Sequence, residues 1–330
     1  MKLTQTKRTF VFEMDKYFPS AHASTLVRLP DGHIAAACFG GEHEGADDVK
    51  IHVAVEDENG VFAYSARVCA DEGLPHWNPV MYVRENGDVA LWFKIGKYIP
   101  SWKTMYCVSR DGCRSFTEPV CIDTNEAEAR GPVKNKPVCL SDGTLIAPRS
   151  LETLSDWTVI PEYSTDEGES WNECSPIKYR SCEAMENGYK TIKTNGLIQP
   201  SIWEDKNGTH MLMRSTWGRL WRTDSSDFGR SWSDAYETAV PNNNSGIDLA
   251  ASDGDIFLVY NPVTGNFAAR TPLDIAVSRD GGASFEHMLT LESEKGEFSY
   301  PSIIVHGDTL HCAYTWNRRN IVYTEVKIER

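Results

Sequence analysis

The sequence predicts an all-β fold, a six-bladed β-propeller of four-stranded antiparallel blades. Two repeats carry that prediction. Six times a hydrophobic run, a two-residue turn and a second hydrophobic run recur, and 330 residues divided by six matches the period of about 55. The turns are Asp31-Gly32, Asn86-Gly87, Asp142-Gly143, Asn207-Gly208, Asp253-Gly254 and, reversed, Gly307-Asp308. Asn-Gly and Asp-Gly accept the positive φ angles of a tight hairpin, so each copy reads as two antiparallel strands. Self-similarity at this period implies stacked or radial units, and units of four strands imply blades.

The second repeat falls between the hairpins. Ser164–Trp171, Ser225–Trp232 and Ser278–Phe285 fit S-x-D-x-G-x-[ST]-[WF]; Ser109–Phe116 fits except for Cys113 in the glycine position. A degenerate trace lies around Glu56–Phe62. The chemistry of such a box is structural: Asp and Ser cap their own turn, glycine takes a conformation other residues avoid, and the aromatic packs inward. These boxes are expected at the outer turns of the blades.

The ends of the chain suggest how the ring closes. Asn320–Ile328 and Arg8–Glu13 are both strand-like, and pairing them within one blade removes two exposed edges. With 41% hydrophobic and 11% aromatic residues the chain can bury a large core. The unbroken repeat argues for one domain over residues 1–330. An irregular stretch, roughly Glu183–Asn195, reads as a loop inserted between the third and fourth blades.

A formal charge of −14 disfavours nucleic acid and anionic membranes as partners, while leaving room for a locally positive pocket. The first 18 residues lack a signal-peptide core, and no segment is long and apolar enough to span a bilayer as a helix. Nine cysteines lie scattered without CxxC or zinc spacing, several in strand-like runs (Cys38, Cys107, Cys139, Cys312), which favours buried free thiols and a cytoplasmic address over disulfides. No metal site is signalled: His306 and His311 flank a turn without further ligands. No nucleotide-binding glycine loop is present, and no cofactor is expected.

Boxes, hairpins and length together resemble the sialidase (neuraminidase) superfamily, in its BNR-repeat branch, over essentially the whole chain. The resemblance implies an exo-acting glycoside hydrolase that releases sialic acid or a related acidic sugar. Members hold the substrate carboxylate with three arginines, because a guanidinium meets a carboxylate bidentately and keeps its charge. Here Arg214 and Arg270 match two of these positions, and His22 stands in the third. The family's tyrosine nucleophile matches Tyr300, in Ser299-Tyr300-Pro301-Ser302. Gln199 occupies the place of the glutamate that withdraws the tyrosine's proton, and an amide is no base. The family's acid/base loop corresponds to Gly40–Asp48; Glu44 is the first candidate, with Asp48 and His43 behind it.

A histidine at position 22 binds an anion only when protonated, so activity is expected to fall as pH rises past its pKa. Further polar residues at hairpin starts and ends are candidate substrate ligands: Asn78, Lys136, Arg149, Asn244, Asp248 and Arg318. Lys136 and Arg149 would compensate for the missing arginine; Asn244 and Asp248 would bind hydroxyls or replace Gln199. Two other classes stay open. One is elimination on a uronate glycan, with His22 or His43 as base and Tyr300 as acid. The other is a non-catalytic sugar-binding propeller.

Overall fold

Each of the six dipeptide turns joins the first and second strands of one sheet. The computed structural model describes residues 1–123, 129–153, 156–179 and 195–330. After β1 (Lys2–Phe10), the first sheet is β2 (Ser20–Arg28), β3 (Ile34–Gly41), β4 (Lys50–Glu56) and β5 (Phe62–Val68). The second is β6 (His76–Val83), β7 (Val89–Ile95), β8 (Lys103–Ser109) and β9 (Val120–Cys121), with a short 3-10 helix at Ile99–Ser101.

The third sheet begins with β10 (Val138–Cys139) and β11 (Leu145–Ala147), then is interrupted by a hairpin of β12 (Ser150–Glu152) and β13 (Asp156–Val159). It resumes with β14 (Glu162–Ser164) and β15 (Asn172–Glu173). The fourth is β16 (Asn195–Asp205), β17 (Gly208–Ser215), β18 (Arg219–Ser225) and β19 (Tyr236–Pro241), and the hairpin joins it through a parallel pairing of β13 with β16. That approach needs a glycine: a Cβ on Gly196 would lie 1.8 Å from the Trp157 carbonyl oxygen. The fifth sheet is β20 (Asp248–Ser252), β21 (Asp255–Tyr260), β22 (Leu273–Ser278) and β23 (Glu286–Glu292). The sixth holds β24 (Phe298–His306), β25 (Thr309–Trp316) and β26 (Asn320–Glu329), and β1 completes it by pairing antiparallel with β26. The two ends of the chain therefore meet as expected, with the N-terminal strand lying earlier than the run Arg8–Glu13.

The boxes sit where the third strand of a sheet turns into the fourth. In Ser164–Trp171, the Ser164 hydroxyl accepts the Gly168 N–H at 2.9 Å and donates to Asp166, whose carboxylate also accepts the Ser170 N–H. The glycine is required twice over: it is left-handed, and a Cβ would come within 2.6 Å of Trp92 at Gly168, 2.5 Å of Ile146 at Gly229 and 2.7 Å of Trp203 at Gly282. Cys113 takes the same conformation with φ 64° and closes its box through the same N–H bond to Ser109. Eight cysteines are free among the described residues; Cys38, Cys107 and Cys312 are buried, whereas Cys139 is exposed. The expected insertion at Glu183–Asn195 lies almost entirely outside the described residues. Among the described residues no helix is long and apolar enough to cross a membrane.

First strands of neighbouring sheets pack on one another, β2 against β6 and β24, and β20 against β16 and β24. In or just before each first strand one non-glycine residue has a positive φ: Ala23, Asn78, Lys134, Gln199, Asn244 and Tyr300, between 44° and 63°. In β2, β6, β16 and β24 that residue lies in a break of the hydrogen-bond register. Left-handed side-chain-bearing residues cost about 1–3 kcal/mol each and cluster at functional sites. Here six of them occupy equivalent places.

Candidate active site

Three of those left-handed positions, in the fourth, fifth and sixth sheets, supply the centre of the site. Arg214, near the end of β17, is buried and reaches all three: Nη1 donates to the Tyr300 hydroxyl at 2.8 Å and to Gln199 Oε1 at 2.9 Å, and Nε donates to Asn244 Oδ1 at 2.7 Å. Its guanidinium also lies 5.6 Å from the Trp157 ring centre, so the inserted hairpin covers it. Asn244 is held in turn by Asn266, at 2.7 Å. Gly246 makes room for the convergence, because a Cβ there would lie 2.9 Å from Lys134 and 3.4 Å from both Gln199 and Tyr300.

Two further guanidiniums approach from the fifth and sixth sheets. Arg270 lies 5.5 Å from the Tyr300 ring centre and donates to Glu297 at 2.8 Å. Arg318, in the β25–β26 turn, donates to the same Glu297 oxygen at 2.7 Å and is ion-paired with Glu44. Lys134 adds a fourth cation, its ammonium 5.9 Å from the Tyr300 ring centre. Burial pulls the Lys134 pKa down to about 7. Its Nζ nonetheless donates to three acceptors, Asn135 Oδ1 and the Ile247 and Pro301 carbonyls, and only an ammonium supplies three protons.

His22 packs on Tyr300 with ring centres 4.2 Å apart, and its Nδ1 is buried without a partner. Burial, then Arg318, Arg270, Arg214 and Lys134, push its pKa well below the ordinary value. The expectation of an imidazolium that substitutes for arginine is thereby corrected: among four cations, His22 is a neutral imidazole at neutral pH. Arg318 brings a third guanidinium to the cluster. His52 and His76, also buried, are lowered to about 4.

This sets an acid limit on stability. The unfolded chain protonates these imidazoles as pH falls through about 6.5, while the folded chain does not. The stability these imidazoles contribute is expected to be full above about pH 6.5 and to fall between there and pH 4. Scanning calorimetry checks this; a thermal midpoint that stays level from pH 7 to 4.5 would contradict it.

The other candidates divide clearly. Asp48 accepts the Glu42 N–H and so closes its own loop, and the exposed His43 side chain contributes no hydrogen bond to the cluster. Asn78 takes the equivalent position in the second sheet. Lys136 and Asp248 pair with each other at 2.7 Å, and Asp248 also accepts from Ser201 and from the Ile303 N–H, so both are held as a brace. Arg149 is fully buried against Glu173 and Glu162, at 2.6 and 3.5 Å. Glu297 and Trp157 carried no signal in the sequence, and of the candidate run Lys134-Asn135-Lys136 it is Lys134 rather than Lys136 that reaches the cluster. Among the described residues no group of three or more His, Cys, Asp or Glu side chains is placed to hold a metal.

Repeated four-stranded antiparallel sheets with a cationic cluster at their first strands define the class: an all-β repeat protein with a polar site at those strands. The BNR repeat-like domain model matches residues 32–312, and the chain belongs to that family. A protein of unknown function from Dyadobacter fermentans superposes with a TM-score of 0.77 at 11% identity, covering 99% of both chains. A Hadza microbial sialidase, Hz136, gives 0.75 at 15% identity over 97% of this chain and 68% of its own. The Trypanosoma rangeli sialidase gives 0.74 at 14% identity over 97% of this chain, which spans 59% of that enzyme. No curated protein matches by sequence. At these identities the likeness is one of fold.

Proposed function

We propose that the six sheets are the blades of a closed six-bladed propeller, and that the chain is a glycoside hydrolase releasing a terminal acidic sugar, sialic acid or a relative. The observation that carries this reading is the convergence of Arg214, Arg270 and Arg318 on Tyr300 and His22, in a chain of net charge −14. Guanidiniums grouped at one site suit a carboxylate. The Arg214 bond to the Tyr300 hydroxyl stabilises negative charge on that oxygen, as a nucleophile needs. Gln199 orients the same guanidinium and takes no proton. The sialidases that share the fold support an acidic sugar as substrate.

A second reading, elimination on a terminal uronate, is favoured by one feature. A neutral imidazole packs on Tyr300, and no carboxylate among the described residues bonds its hydroxyl. The products separate the two, since elimination leaves an unsaturated sugar absorbing in the near ultraviolet. A panel of α-sialosides and terminal uronides, followed by sugar release and by absorbance, tests both. Release without absorbance, lost about 10³-fold or more in Tyr300→Phe, is expected. Absorbance rising with turnover would replace hydrolysis by elimination.

A further inference from the structure

A pocket of about 110 Å³ opens beside the cluster, lined by Lys94, Trp102, Val133, Ser150, Leu151 and Glu152. Its connection to the cluster runs through the inserted hairpin. Ser150 Oγ accepts the Gln199 N–H at 3.3 Å, so β12 passes beside the left-handed residue of the fourth sheet. Two residues on, Glu152 stands directly opposite Trp157 in the β12–β13 pairing, and Trp157 covers the Arg214 guanidinium. Directly paired side chains project from the same face of a ribbon. Glu152 therefore stands on the border between the pocket and the Arg214–Tyr300 pair.

Among the described residues no other carboxylate near the cluster is placed this way. Glu297 is shared by Arg270 and Arg318, and Glu44 is paired with Arg318. Glu152 makes no hydrogen bond or ion pair with a described residue. Across the pocket, Lys94 directs two donors to Thr104 Oγ1 and the Arg130 carbonyl, at 2.7 and 2.6 Å, rather than to Glu152.

We propose that Glu152 is the proton donor and acceptor of the reaction, and that the adjoining pocket takes the leaving-group sugar, with Trp102 as its wall. The inference rests on the hydrolase reading. In the first step the Tyr300 oxygen, its hydroxyl proton given up to water, bonds the anomeric carbon, the glycosidic C–O bond breaks, and its electron pair takes the Glu152 proton. In the second, water attacks the same carbon, Glu152 accepts the water's proton, and the electron pair of the breaking C–O bond returns to Tyr300. Burial raises the Glu152 pKa against the opposing charge of Arg214, which keeps a proton available for the first step. Among the described residues the charged group acting on it is Arg214 from β17, and Lys94 from β7 lines the same pocket.

Leaving-group dependence tests this. For one acidic sugar, kcat/KM is measured on an aryl glycoside, whose phenol departs unprotonated, and on a sugar glycoside, whose alcohol needs the proton. Glu152→Gln is expected to lose about 10²–10⁴-fold on the sugar glycoside and at most tenfold on the aryl one, and to lose the alkaline fall of the pH profile. Tyr300→Phe is expected to lose both activities. Azide added to Glu152→Ala should restore turnover as glycosyl azide. Equal losses on both substrates, or none, would overturn the role of Glu152 and leave the hydrolase reading standing. If Glu152→Gln misfolds, the wild-type profile decides: an alkaline fall for the sugar glycoside and none for the aryl one supports the role, and identical profiles overturn it. Wild type inactive on every acidic glycoside overturns both.

Discussion

Arg214→Ala is expected to lower kcat/KM by about 10²–10³-fold, the loss typical of a preorganised donor aimed at developing charge. One guanidinium holds the Tyr300 hydroxyl, Gln199 and Asn244 together, so its removal releases that hydroxyl and frees two buried side-chain acceptors at once. Each freed acceptor costs about 1–3 kcal/mol unless water replaces the donor, so a lowered thermal midpoint should accompany the kinetic loss. Arg214→Lys separates charge from shape. The ammonium keeps the positive charge but cannot reach three acceptors in one plane, so it should recover little of the activity. Full recovery by lysine would show that charge alone matters.

The larger structural effect is expected at Asp248. Its carboxylate accepts from Lys136 at 2.7 Å, from Ser201 at 2.7 Å and from the Ile303 N–H at 2.9 Å. Those partners lie on β16, on β24 and just before β10, so one buried group links the third, fourth, fifth and sixth sheets. Asp248→Ala leaves Lys136 without its counter-ion and the Ile303 N–H without an acceptor. Breaking a buried pair in this way costs about 3–5 kcal/mol. Denaturant unfolding of Asp248→Ala should show that loss, with a smaller one for Asp248→Asn, which keeps an acceptor oxygen. A loss within 0.5 kcal/mol, roughly the range of an ordinary surface substitution, would mean that the brace carries no load.

The hairpins and boxes were legible because their signals are local. Asp142-Gly143 needs only its own φ angles, and Ser164 and Asp166 bond within their own turn. The meeting of the two chain ends was legible as well, because an unpaired edge demands a partner. The β12–β13 hairpin was not. Its strands are three and four residues long, too short for alternation to show, and its position depends on a close approach at Gly196.

At the site, Arg214, Arg270 and Tyr300 were legible through the resemblance to the sialidase superfamily, and the structure brings them together. Arg149 occupied an equally suggestive place, yet Glu162 and Glu173 claim it. The charge of His22 was misjudged for a related reason. A pKa depends on neighbours far apart in sequence, and Arg214, Arg270 and Arg318 all come from other sheets. Glu44 was the first acid/base candidate on its loop, and its ion pair with Arg318, from the opposite end of the chain, could not be read from the sequence.

Covalent trapping tests the central claim most directly. Wild type and Tyr300→Phe are incubated with an activated acidic sugar fluorinated beside the anomeric carbon, built on whichever sugar the panel identifies, and peptide masses are read. A glycosyl adduct on the peptide holding Tyr300, absent from the variant, is the expected result. Turnover of the parent glycoside with no adduct at Tyr300, or with the adduct on another residue, would contradict it.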